Sequence, residues 1–177
     1  TTAGTVEVLA DGALVARSSP ARLAVHPPVP PPLDVALEAS RRFEAHLADG
    51  SIPHAFPECF VCGPARERGD GLVLRPGPLD GVVATTWRPD AGLGDGDGHV
   101  RPEFVWAALD CPGAFAVELV GRGTRVLGRL AARIDRLPEV GETYVVVGWP
   151  LGGEGRRQEA GTALLDEQGA VLAVARA

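Results

Sequence analysis

At 177 residues and 45% hydrophobic, the chain is long enough for one sizeable core, or for a domain with a large extension. Its net charge is −6, and all 17 cationic residues are scattered arginines, which argues against nucleic-acid or anionic-membrane binding. No apolar run approaches the ~20 residues of a membrane span, no leader pattern opens the chain, and three cysteines make no secreted disulfide framework, so a soluble cytoplasmic protein is expected.

Residues 4–17, GTVEVLADGALVAR, predict a β-hairpin, with Val6 and Val8 alternating with polar neighbours and Asp11-Gly12 supplying the turn. Residues 160–177, AGTALLDEQGAVLAVARA, match that hairpin at a constant offset. Two readings stay open there: two related half-domains, or two hairpins of Ala/Val/Gly composition that coincide by chance. VHPPVPPPL, residues 25–33, is a stiff polyproline-type connector. Asp34 is the expected N-cap of a helix running to about Ala48, which Gly50 ends, with Leu37, Ser40, Phe43 and Leu47 as its docked stripe. Residues 51–71 read as an irregular loop. Strands are expected near 72–75 and 81–88, followed by a Gly/Asp loop over 89–101.

The segment VRPEFVWAALDCPGAFAVELVG, residues 100–121, predicts one long helix that is hydrophobic nearly all round, so it must be wrapped by other structure. Four strands are expected after it: Arg125–Arg136, Glu142–Trp149, Arg156–Asp166 and Ala170–Arg176, with turn signals at Pro138, Gly152-Gly153 and Gln168-Gly169. A long apolar helix followed by an antiparallel meander is an α+β pattern. A curved sheet around a central helix meets the wrapping requirement.

Asp110 interrupts that apolar run, and an unpaired buried carboxylate is costly or has its pKa raised. One reading is chemical: a partly desolvated Asp is a stronger base, and a helix N-terminus offers unpaired N–H groups to polarise a carbonyl. The other is structural. Pro112 forbids the ordinary backbone bond, so Asp110 or Cys111 could cap a helix restarted at Pro112-Gly113.

Cys59 and Cys62 form a Cys-x-x-Cys, a spacing that suits zinc chelation, a redox pair or a plain loop. A closed zinc site needs two more ligands, and folding could assemble Cys59 and Cys62 with His54 and Cys111; His46 and His99 are the other histidines within reach. Gly94-Asp95-Gly96-Asp97-Gly98 is similar to part of a calcium loop but lacks its ligand spacing and closing Glu.

The order of strand, loop, apolar helix and strand run over residues 72–177 resembles the hot-dog fold, an antiparallel sheet folded around one helix. Acyl-CoA thioesterases of the phenylacetic-acid and 4-hydroxybenzoyl-CoA type carry a His-Gly-Gly at the helix start and an Asp or Glu nine residues after the His. Ala108-Leu109-Asp110 looks like the later element. Counting back nine reaches Arg101, with Pro102 and Glu103 in place of the glycines and His99 two residues early. The resemblance implies a hot-dog domain over 72–177 preceded by an N-terminal extension over 1–71, and pairing of two chains into a homodimer. It implies hydrolysis of an acyl-CoA or acyl-carrier-protein thioester, with Asp110 as base or nucleophile. The helix start would act as carbonyl activator through the amide of Glu103 or Phe104.

His99, Arg101 and Phe104 are then candidates for substrate contact, and Arg66 and Arg68 for a CoA phosphate. No cofactor is required for such chemistry, and zinc at Cys59 and Cys62 is the one metal the chain suggests. The alternative is a non-catalytic hot-dog module that binds an acyl thioester or a protein partner. A hydratase on the same fold would want a His–Asp pair, for which His99 is poorly placed.

Overall fold

The structure, a computed structural model, describes residues 4–51, 54–118 and 124–177. In chain order it contains β1 (Val6–Ala10), β2 (Ala13–Ser18), α1 (Leu33–Asp49), β3 (Gly77–Leu79), β4 (Val82–Trp87), α2 (Pro102–Ala108), α3 (Cys111–Glu118), β5 (Ala131–Ile134), β6 (Tyr144–Glu154), β7 (Arg157–Leu165) and β8 (Val171–Arg176). Strands β3 to β8 form one antiparallel sheet in the order β3-β4-β6-β7-β8-β5. The architecture is α+β, a sheet wrapped on a central helical segment.

Strand β6 explains how the sheet is buried on both faces. Its first six residues, YVVVGW, are all buried. Tyr144 and Val146 join one apolar cluster with Trp87, Val105, Leu109 and Leu164, while Val145, Val147 and Trp149 join another with Ala36, Ala39 and Leu165. Period-two alternation therefore feeds two cores, one on each side of the same strand. α3 lies across β4, β6 and β7 on the first side. The connector residues Leu23, Val25 and Leu33 and helix α1 cover the second.

The predicted first hairpin forms, with Asp11 at φ 49° and Gly12 at φ 81° making the twisted turn that hairpins favour. All of its residues are exposed, and it stays outside the main sheet. Strands β7 and β8 lie inside that sheet, so the two similar sequences occupy unlike places and do not head two equivalent halves.

Several local expectations are corrected. α1 begins at Leu33 with Pro32 as its cap, and Asp34 sits in the first turn. Its docked face is Ala36, Ala39, Ser40 and Phe43, with Leu37 turned outward, because the two alanines let the helix backbone press onto Gly77 at the sheet edge. Residues 72–75 are not a strand. Val73 has φ 55°, and the amides of Leu72 and Leu74 bond to Phe60 O and Val61 O, both at 2.8 Å, so this stretch pairs with the cysteine loop instead. β6 runs through Gly152-Gly153, whose positive φ values allow a bulge, and the turn comes at Gly155. β5 is shorter than expected, since only residues 131–134 find partners on β8.

The apolar helix is broken. α2 ends at Ala108, Leu109 and Asp110 form a turn, and α3 restarts at Cys111. Pro112 has no N–H for the Ala108 carbonyl four residues back, and just before the break the Leu109 N–H is shared between Val105 O and Trp106 O, each at 3.2 Å. The last part of the predicted helix, Leu119 and Val120, lies outside the described residues.

Candidate functional site

Asp110 stands at the break between α2 and α3. Its own amide closes a tight turn onto Ala107 O at 3.2 Å. The side chain is half-buried, and among the described residues no donor reaches its carboxylate, so it does not cap α3. Burial first, and then the negative charge of Cys59, hold this carboxyl above the ordinary carboxylate range.

Cys59 is beside it because the Cys59–Gly63 turn folds onto the helix break. The sulfurs of Cys59, Cys62 and Cys111 all lie within 4.8 Å of one another, and Cys59 Sγ is 3.7 Å from Cys111 Sγ. All three thiols are free. Gly63 N–H closes the turn onto Cys59 O at 2.9 Å, and a Cβ at Gly63 would stand 2.6 Å from that same oxygen. A hydrogen bond from Cys111, helped by the amides of Cys62 and Val61, holds the Cys59 thiol down at about 4. The Cys111 thiol is pushed up, because it donates to Cys59 and Cys62 and is buried.

Two further residues frame this cluster. His54 packs on Phe115, one turn past Cys111, with ring centres 5.7 Å apart. Its Nδ1 accepts the Phe56 N–H at 3.2 Å, and its Nε2 is buried without a partner. Arg75 is buried and donates from Nη1 to Cys62 O at 3.0 Å and Leu74 O at 3.1 Å. Sequence reasoning passed over Arg75. Its one signal was a lone charge closing the apolar run GLVLRP.

The remaining candidates are held by partners of their own. Pro102 opens α2, and the Phe104 N–H is already bonded to Arg101 O at 3.0 Å, which leaves the Glu103 amide as the open donor of the pair. The Glu103 carboxylate is exposed, 3.6 Å from Arg101 Nε. The Arg101 guanidinium lies 4.7 Å from the centre of the Phe104 ring, and that ring is 5.9 Å from Phe60 of the cysteine loop.

His99 is half-buried in the Gly/Asp loop, with its amide donating to Asp95 Oδ1 at 2.9 Å. Arg66 is engaged within its own loop by Glu58 O and Asp70, both at 3.0 Å, while Arg68 is exposed. His46 pairs with Ser51 at 2.8 Å, apart from the thiols. Folding thus joins Asp110 to the cysteines and Phe104 to Phe60. It does not join Glu103 to Asp110, which at 1.5 Å of rise per residue are about 10 Å apart along the axis. One surface cleft is lined by Ala55–Cys59 and another by Phe60, Gly71, Asp90 and Leu93; Asp110 lines neither.

No family model and no curated protein matches this chain. Solved structures do. A thioesterase superfamily protein superposes with a TM-score of 0.59 at 19% identity, over 81% of this chain and 80% of its own. The PaaI protein from the phenylacetic acid degradation operon of E. coli gives 0.56 at 15% identity, over 78% and 91%. A phenylacetic acid degradation-related protein from Ralstonia eutropha gives 0.55 at 16% identity, over 76% and 96%. Identities this low show shared architecture.

The chain has a hot-dog fold.

Within the hot-dog, α2 and α3 are the central helical segment, and the first turn of α3 lies close on the sheet. A Cβ on Gly148 of β6 would collide with Pro112 O, and one on Gly113 would meet Thr162 Oγ1 at 3.0 Å. Asp110 therefore stands two residues from a tightly packed step of the hot-dog core. The cysteine loop, from outside the central helix and sheet, supplies the other wall of its surroundings.

Proposed function

We propose that this chain hydrolyses an acyl thioester carried by coenzyme A or an acyl-carrier protein. The observation that carries the reading is the half-buried Asp110 carboxylate, unpartnered among the described residues, at the break of the central helix. Such a group is costly to keep and is free to take a proton from water or to attack a carbonyl itself. In the hydrolysis, water oxygen bonds to the acyl carbon, the C–S bond breaks, and the leaving thiolate receives the proton.

A single chain does not complete this site. A reacting carbonyl must sit within about 3–3.5 Å of its attacker, and the open Glu103 amide is at the opposite end of α2 from Asp110. A second copy, placing its helix start against Asp110, fits that need. The sheet has two edges, and β3 is backed by α1 through Gly77, so β5 is the edge left to pair. Val126 and Leu127, just before β5, are exposed large apolar residues, as expected of a surface that another chain covers.

The test is release of coenzyme A from a panel of acyl-CoAs by the purified protein, repeated with Asp110→Asn. Turnover by the wild type and its loss in a folded Asp110→Asn protein are expected, and an equally active Asp110→Asn protein would sink the assignment. A second reading has its own support. The Phe104 amide is occupied and Pro102 has no N–H, so the helix start is poorer in donors than a glycine-rich one. Wild-type protein that binds acyl-CoA without turning it over would make the chain an acyl-thioester binding module.

A further inference from the structure

We propose that Cys59, Cys62 and Cys111 together bind a thiophilic divalent ion, zinc by fit, as a three-thiolate site that pins the Cys59–Gly63 turn to the break between α2 and α3. The three cysteines are the only ones in the chain, and two of them lie about fifty residues from the third. Burial alone gives no reason for all three sulfurs to converge.

The spacing matches a tetrahedral ion. Zn–S bonds of about 2.3 Å at the tetrahedral angle place two sulfurs roughly 3.8 Å apart. Cys59 Sγ and Cys111 Sγ are 3.7 Å apart, too far for a disulfide, and Cys62 Sγ completes a triangle within 4.8 Å. The turn is also built for the purpose. Gly63 lets the chain reverse tightly after Cys62, with its N–H bonded to Cys59 O at 2.9 Å, which holds the two thiols of the turn on one side.

Charge points the same way. Each thiol gives up its proton on binding, so three thiolates and a divalent ion carry a net charge of −1. Arg75, buried and bonded to the Cys62 carbonyl at 3.0 Å, brings positive charge beside the cluster, shared with the exposed Glu44 carboxylate 4.0 Å from its Nε. With Nδ1 taken by the Phe56 amide, His54 in its neutral form carries its proton on Nε2. Its second nitrogen is therefore protonated, and His54 does not join the three sulfurs as a ligand. The described residues add no fourth ligand to the three sulfurs, which leaves that position to water.

Metal analysis of protein purified without chelator or added metal is the direct test, with about one zinc per chain expected. Less than about a tenth of an equivalent, with no uptake on adding zinc, overturns the site. Cys62→Ser and Cys111→Ser should each lower the metal content at least tenfold. Because these variants could fail to fold, cadmium is also titrated into metal-free wild-type protein. A thiolate-to-metal charge-transfer band saturating near one equivalent supports the site, and absence of the band overturns it. Loss of two titratable thiols in fresh protein would make Cys59 and Cys111 a disulfide pair and overturn it as well. Asp110→Asn should keep its metal; loss of the metal there would make Asp110 a ligand and overturn the open fourth position, whatever the outcome of the thioester assay.

Discussion

Asp110 separates a functional side chain from a structural one by its stability signature. A carboxylate that capped α3 would stabilise the helix, and its loss would cost about 0.5–2 kcal/mol. Asp110 has no such bonds among the described residues, and its burial disfavours the charged carboxylate. Asp110→Asn is therefore expected to leave stability unchanged or to raise it by up to about 1 kcal/mol, within the range seen when a strained functional group is relieved. Chemical denaturation of the two proteins measures this, and a loss of more than about 1 kcal/mol would return Asp110 to a capping role. Phe43 behaves oppositely. It is fully buried on α1 and meets Phe115 edge-on with ring centres 5.1 Å apart. Phe43→Ala should cost about 3–5 kcal/mol by denaturant midpoint.

Helices and strands here are placed by close backbone approach more than by large side chains. α3 rests on β6 where Pro112 O faces Gly148, and the contact leaves no room for a methyl group. Gly148→Ala must push the helix break off the sheet, with an expected loss of about 1–3 kcal/mol from overpacking. Because Asp110 sits two residues before Pro112, the same variant should lower thioester turnover more than it lowers substrate affinity; unchanged stability would show that the sheet yields instead. These elements differed in how readable they were. YVVVGW, GVVATTW and the Asp11-Gly12 hairpin follow from β propensity and turn chemistry alone, and each formed. Residues 72–75 are the counter-example: a strand is expected there, but the Leu72 and Leu74 amides bond to Phe60 O and Val61 O, partners that no local pattern reveals.

Seen as one body, the protein has its N-terminal connector and α1 lying on one face of the sheet and its central helices on the other. The residues before β3 thus share in the cores of the hot-dog sheet. No helix among the described residues is long and apolar enough to cross a membrane. The open β5 edge, with Val126 and Leu127 before it at 80% and 49% exposure, predicts a dimer that light scattering would detect. Val126→Asp with Leu127→Asp should shift the protein toward monomer and reduce turnover with Asp110 intact. A fully active monomer would show that one chain holds the whole site.

The sequence alone determined the elements that answer to local physics: the alternating strands, the stiff proline connector, an all-round apolar helix that had to be wrapped, and an acid inside it. It also supplied both readings of Asp110, and the tertiary structure shows the break before Pro112 without a cap from that carboxylate. Only the fold decided that Cys59, Cys62 and Cys111 meet beside Asp110, that Arg75 stands behind them, and that α1 docks by Ala36 and Ala39 in place of Leu37. Local preference is written in neighbours a few residues apart, whereas convergence over fifty residues depends on how the sheet curves and where backbones can touch.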